Sequence, residues 1–320
     1  MRIVLADGPL IERVLDDTFP VWHEGLSRDA YSKWSRGQLR TPWGREHLQR
    51  FVLVDDAGAH VASLKRYRHP VHVDGRDGWM CGIGAVLTVP AHRGAGHASR
   101  LVEHVVEQSR QEGALLAGLF SEIGTAFYER LGFSVVALDE VTLRVTRGRG
   151  SPMMLVRAGD DRDLPTLAAM HAVRAQGARF AMRRDAPLIH YAIAKKRLFA
   201  GLSTPGTRQL EFFVAEEGVS AAAYVVLSQN QYGWTLEEAG DRDPAGARLG
   251  AMFQVLLARE PSQREPIVRT WWPRGFPTPP QLTLTNRTDA KDVFMVRPLA
   301  AGIEVPPGPE GVMWWRSDYF

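Results

Sequence analysis

A chain of 320 residues is long for one domain of about 150 residues, so two domains are expected. Its 45% hydrophobic content fills two cores and excludes a disordered chain. The net charge is only +3, just 5 of the 39 basic residues are Lys, and no polybasic run demands nucleic acid.

The chain opens with Ile3-Val4-Leu5, a short strand, followed by a helix over 9–19. Residues 1–7 lack a secretory apolar region, and no apolar stretch approaches the roughly 18 residues of a membrane span. A soluble, cytoplasmic protein with no membrane partner is expected. Residues 51–58 and 61–64 read as two strands around the acidic glycine turn Asp55-Asp56-Ala57-Gly58. His69 and His72 are the closest histidine pair, but Pro70 breaks a regular ligand spacing and no third ligand is evident, so no metal site is expected. The single cysteine, Cys81, forms no intramolecular disulfide, fits a reducing compartment and reads as a small buried hydrophobe within the strand 79–86.

The run Val86-Leu87-Thr88-Val89-Pro90-Ala91-His92-Arg93-Gly94-Ala95-Gly96-His97-Ala98-Ser99 carries the most chemistry. An apolar strand meets a proline, passes an Arg-Gly-x-Gly turn and becomes a helix whose first residues are small. Such a turn leaves several amides unpaired at a helix N-terminus, a seat for a pyrophosphate. A dinucleotide site would need G-x-G-x-x-G after the first strand, and a P-loop would need a following Lys; neither occurs. A phosphate-bearing cofactor is expected at Arg93, Gly94, Ala95, Gly96, His97, Ala98 and Ser99.

Downstream, 115–121 reads as a buried strand, 125–131 as a short helix ended by Gly132-Phe133, and 134–138 as another strand. Residues 147–152 read as a linker, which sets expected domains at 1–146 and 153–320. The second half begins with a strand at 154–156 and a helix over 163–175. Its basic clusters, Arg183-Arg184 and Lys195-Lys196-Arg197, read as a solvated helix face. The hairpin at 212–218 and 221–226 echoes the earlier one. A strand at 234–238 and a helix over 244–257 then flank Ala239-Gly240-Asp241-Arg242-Asp243, whose acids repel a pyrophosphate. The chain closes on an aromatic tail, Val312-Met313-Trp314-Trp315-Arg316-Ser317-Asp318-Tyr319-Phe320, that is expected to be docked.

Arg93, Gly96 and Ala98 form R-x-x-G-x-A, which resembles the acyl-CoA pyrophosphate loop of the GNAT superfamily of N-acetyltransferases. Phe127-Tyr128-Glu129-Arg130-Leu131-Gly132-Phe133 resembles that superfamily's F-Y-x-x-x-G-F signature. Around these motifs, the loop from Pro90 to Ser99 and the segment Ser121-Glu122-Ile123-Gly124 are similar to fungal lysine N-acetyltransferases, with free lysine as one candidate acceptor. The resemblance implies an α/β (α+β) fold: a mixed, mostly antiparallel sheet flanked by helices, followed by a second, degenerate GNAT-like domain. In mycothiol synthases the order of live and degenerate halves is reversed, which argues against that activity.

The same resemblance implies direct attack of an amine on the thioester of acetyl-CoA. Val86, Leu87 and Thr88 occupy the place where strand amides bind the pantetheine arm and carbonyl, and Thr88 is a candidate interruption of strand pairing. Tyr128 stands where the family places its general acid, or else is a core aromatic. The strand 79–86 lacks a carboxylate, so Glu122 is the nearest acidic candidate for a base, or a cap of the helix near Thr125. Eis-type aminoglycoside acetyltransferases use a terminal carboxylate and also end in Phe, which makes Phe320 a further candidate. The expected function is acetyl transfer to a primary amine of a small molecule. A non-catalytic acyl-CoA-binding module, another acyl-CoA and a protein amine are the alternatives; acceptor identity and oligomeric state stay open.

Overall fold

The computed structural model describes residues 1–146, 154–260 and 267–320; the expected linker at 147–152 lies outside them. In chain order the elements begin β1 (Arg2–Leu5), α1 (Gly8–Trp22), α2 (Arg28–Arg40), α3 (Pro42–His47), β2 (Leu48–Val54), β3 (His60–Val73) and β4 (Arg76–Thr88). They continue α4 (His97–Gln111), β5 (Leu116–Ser121), α5 (Ala126–Glu129), β6 (Ser134–Val135) and β7 (Asp139–Val145). Next come β8 (Leu155–Ala158), α6 (Leu164–Ala175), β9 (Phe180–Met182), α7 (Ala186–Leu202), β10 (Arg208–Glu217), β11 (Ser220–Asn230) and β12 (Gly233–Asp241). The chain closes with α8 (Ala247–Ala258), β13 (Val268–Trp271), β14 (Leu282–Asp289), β15 (Val293–Pro298) and β16 (Val312–Met313).

Two compact units result, and neither is one continuous stretch. The first comprises Met1–Val136, Asp292–Pro307 and Phe320; the second comprises Ala137–Lys291 and Gly308–Tyr319. In the first unit the strands run β1-β2-β3-β4-β5-β15-β6. β1 to β4 are antiparallel neighbours, β4 and β5 are parallel, and β15 is antiparallel to both β5 and β6. In the second unit the order β8-β10-β11-β12-β13-β7-β14 repeats that plan, again with one parallel pair, β12 and β13. Both sheets are mixed and mostly antiparallel, flanked by helices, as the resemblance implies.

The sixth place in each sheet is filled from the other half of the sequence. β7 directly follows the first half yet pairs with β13 and β14. β15 lies late in the chain yet pairs with β5 along its whole length, Val293 with Ser121 to Pro298 with Leu116. Residues 139–145 therefore belong with the second sheet and 293–298 with the first, which a cut near residue 147 separates differently. Non-local pairing leaves no mark in local composition, so the strand pattern alone does not reveal its partner.

Local chemistry explains the rest. The β3–β4 turn is Asp74-Gly75, with φ of +49° and +76°, the two-residue Asp-Gly loop whose twist suits a hairpin. α4 buries Leu101, Val102, Val105 and Val106 on one face. These pack with Leu64, Cys81, Ile83 and Leu119 of the sheet into the first core. Cys81 is fully buried, and burial pushes its thiol up to about 11.

Two expectations need correction. Arg183 and Arg197 are exposed as expected, but Arg184 is buried and Lys195 and Lys196 are half-buried and bonded to Tyr319 and Glu237, so the clusters are only in part a solvated face. Their carboxylate partners lie far away in sequence, which the local pattern could not convey. Glu122 is not a helix cap either: α5 begins after Thr125 with no side-chain cap bond.

Candidate active site

β4 and β5 pair in register from Met80–Leu116 to Ile83–Leu119 and then part. Beyond Ile83, β4 continues to Thr88 with, among the described residues, a strand partner on one side only, β3. The cause is a bulge: Ser63 and Lys65 are separated by one residue, while their partners Leu87 and Gly84 are separated by Ala85 and Val86. Ala85 takes φ of +50°, an uncommon conformation for a residue with a side chain. The interruption expected at Thr88 thus lies at Ala85 and Val86, and Thr88 still pairs with Ala62. Strand amides alternate in direction: Val89's donates to the Val61 carbonyl of β3 at 2.9 Å, so Leu87's faces β3 as well and Thr88's faces the edge of β4 that β5 has left.

After β4, residues Pro90–His92 form one 3-10 turn and the chain enters α4 through Gly94 and Gly96, at φ of +81° and +76°. Gly96 is the N-cap, and space beside both glycines is open for at least 4 Å. Among the described residues, no backbone carbonyl accepts from the amides of Gly94, Ala95, Gly96, His97, Ala98 or Ser99. Arg93 Nε donates to the Thr88 carbonyl at 3.3 Å, which folds the exposed guanidinium over the loop's start. The rings of His92 and His97 lie 6.2 Å apart. Residues 89–99 contain no carboxylate. Free amides, the positive end of a 15-residue helix and a cation suit a pyrophosphate, so the expected cofactor fits this loop.

Tyr128 lies on α5, only 6% exposed, with its ring edge-on to Phe127 at 4.9 Å and to Phe133 at 6.0 Å. Burial, and secondarily the negative charge of Glu122, push its hydroxyl up to about 12. Glu122 is exposed in the turn after β5, where Ser121 Oγ donates to the Gly124 carbonyl at 2.5 Å. Glu122 is thus near enough for its charge to act on the Tyr128 hydroxyl.

Phe320 lies against β4. Its ring is 4.7 Å from that of His69, 5.4 Å from Tyr67 and 5.3 Å from Phe120. Two glycines make room for it. A Cβ on Gly82 would come within 3.0 Å of the Phe320 ring, and one on Gly84 within 3.3 Å of its main-chain oxygen. Trp43 stacks on the far side of the group, 5.2 Å from His69. Sequence reasoning missed Ala85, Gly82, Gly84, Tyr67 and His69. Two glycines two residues apart in a strand were the available signal, since glycine in a strand marks close approach on one face.

The second unit repeats this geometry with different chemistry. α8 also starts after a glycine N-cap, Gly246 at φ of +72°. Here Asp241, buried, accepts from the Asp243 amide at 2.8 Å and the Leu249 amide at 2.9 Å, and Asp243 accepts from Ala245 at 2.9 Å. Carboxylates of the chain thus take amides that in the first unit stay free.

Residues 21–136 match the acetyltransferase (GNAT) domain family. No curated protein matches the chain by sequence. Among solved structures, a GCN5-related N-acetyltransferase from Anabaena variabilis is similar over 93% of this chain and 73% of its own, at 12% identity and a TM-score of 0.68. A conserved Enterococcus faecalis protein described as a probable N-acyltransferase gives 12% identity, coverage of 93% and 72%, and 0.67. Eis1 from Mycobacterium abscessus gives 13%, 93% and 74%, and 0.58. At such identity these likenesses establish the shared fold.

Proposed function

Since the chain carries a GNAT acetyltransferase domain, and acetyl-CoA is the co-substrate of that superfamily, we propose that this protein acetylates the primary amine of a small molecule by direct attack. The observation that carries the reading is the pairing of two vacated backbone edges: β4 beyond its bulge and the open amides of the Gly94–Gly96 turn. When bound, the cofactor supplies an activated acyl thioester. Arg93 and the amides from Gly94 to Ser99 hold its phosphates, and those amides within Val86–Thr88 that face the vacated edge align the arm and polarise the carbonyl. Tyr128 gives a proton to the departing thiolate, a task suited to a phenol that burial keeps protonated.

Phe320 is the first candidate to receive the proton of the attacking amine: its main-chain oxygen stands beside Gly84, at the start of the bulge, and its ring is held by Tyr67 and His69. Glu122 is the second candidate, favoured by its proximity to Tyr128. Two similar sheet plans, with Asp241 and Asp243 closing the second loop, support a tandem arrangement with one live and one degenerate half.

Calorimetric titration with acetyl-CoA tests this reading. The expected result is one site per chain, with affinity in the micromolar range and lost at least tenfold in Gly96→Leu, where φ of +76° and a side chain in the amide nest both oppose binding. Two sites per chain, or unchanged affinity in the variant, would overturn the loop assignment.

A further inference from the structure

The second sheet opens as the first does. β12 and β13 pair only through Trp234–Val268 and Thr235–Arg269, although β13 continues to Trp271 and β12 to Asp241. A bulge again sits at the parting: Val226 and Leu227 are adjacent, while their partners Glu238 and Leu236 have Glu237 between them. The first unit carries Ala85 and Val86 at its bulge; the second carries two buried acids. Each acid has a cation. Glu237 pairs with Lys196 Nζ at 2.8 Å, and Glu238 accepts from Arg184 Nη1.

We propose that this opening is a socket for the chain's own segment 315–319, and that Arg184 is the positioning residue that holds the segment in it. Arg184 Nη2 donates to Ser317 Oγ at 2.8 Å, and its Nε lies 3.0 Å from Asp318 Oδ1. Asp318 Oδ2 in turn accepts from the Trp315 amide at 2.9 Å, which closes the turn on itself. That turn packs on β12 and α7. Arg316 lies 4.8 Å over the ring of Trp271, the last residue of β13, and Lys195 Nζ donates to the Tyr319 carbonyl at 2.9 Å.

The side chains of Arg184, Glu238 and Asp318 are at most 1% exposed. A buried charge without its counter-charge is costly, so the arginine between two carboxylates accepts one occupant in one register and rejects a shifted one. A plain apolar filler would lack that selectivity. Phe320 follows Tyr319 directly, so fixing 315–319 fixes where Phe320 starts; this functional consequence rests on the role proposed for Phe320.

Hydrogen exchange read by mass spectrometry on the full chain tests the socket. In Arg184→Gln, amides of 313–319 should exchange at least about 100-fold faster, while those of α4 and β4 stay as in the parent. Turnover should fall tenfold or more with acetyl-CoA affinity within twofold, and Arg184→Lys should restore part of the protection. Parent-like protection at 313–319, or equal loss throughout the chain, overturns the socket. If Arg184→Gln does not fold, Asp318→Asn takes its place with the same expected and contrary results. Deleting Phe320 separates the two readings: the socket requires unchanged protection at 313–319 in that variant, whereas undiminished turnover removes Phe320 as the base and leaves the exchange result standing.

Discussion

Tyr128 shows how one side chain's surroundings decide its chemistry. With its hydroxyl pushed up to about 12, it stays protonated over the whole working range of a protein. It therefore always carries a proton that it can give, though burial makes it a weaker acid than an exposed tyrosine, and it is unsuited to taking one. Tyr128→Phe keeps the edge-on contacts to Phe127 and Phe133 and removes only the hydroxyl. Turnover in that variant should fall by about 10² to 10⁴, with acetyl-CoA affinity within twofold, as steady-state kinetics beside calorimetry would show. Unchanged turnover would make Tyr128 a packing residue. Much of this was legible in the sequence, because the Phe-Tyr and Gly-Phe signature places the tyrosine by local spacing. The seat of Phe320 was not, because Gly82, Gly84, Tyr67 and His69 lie on the β3–β4 hairpin, far in sequence from the ring that fills it.

At the scale of elements, the helix α6 carries a second titrating group. His171 is buried and donates from Nε2 to the Met182 carbonyl at 2.9 Å. Burial, and then the nearby Arg184 cation, depress its pKa from 6.5 to about 3. The unfolded chain therefore binds a proton that the folded chain refuses between those values. Its contribution to stability is present above pH 6.5 and is lost as pH falls toward about 3, at about 1.4 kcal/mol per pH unit. Urea midpoints at pH 7 and pH 4.5 should thus differ less in His171→Gln than in the parent; an equal difference would refute the assignment. The same region shows where sequence reading stops. Arg183-Arg184 looks like a solvated pair because the partners of Arg184, Glu238 and Ser317, lie 54 and 133 residues away. The glycine turn before α4 was readable for the opposite reason: all of its chemistry lies within about a dozen residues.

Across the whole molecule, the exchanged strands tie the halves of the sequence into one folding problem. The fragment 1–146 retains β1 to β7 but lacks β15, so β5 loses its antiparallel neighbour, β7 loses both of its partners and the first core loses Met295. A fragment with that edge exposed should fail to unfold cooperatively by circular dichroism and should aggregate, whereas the full chain melts in a single step or two. A cooperative, monomeric fragment would show that β15 is dispensable. Most strands and the presence of two units were readable from the sequence, and the mixed, mostly antiparallel character of the sheets followed from the resemblance. The identity of the sixth strand was not, because neither β7, with its alternating burial, nor the mostly apolar β15 carries a local feature that assigns it to a sheet.

The late return of β15 also sets a timetable. β5 ends at Ser121, and the strand that covers it is complete only at Pro298. At a synthesis rate of about 5–20 residues per second, the nascent chain waits roughly 10–35 s with that strand edge bare. A bare strand edge is prone to aggregate during those seconds, and slow codons between the two strands would lengthen the wait. Yield in a cell should therefore respond to translation speed across 122–292 as well as to the stability of the finished fold.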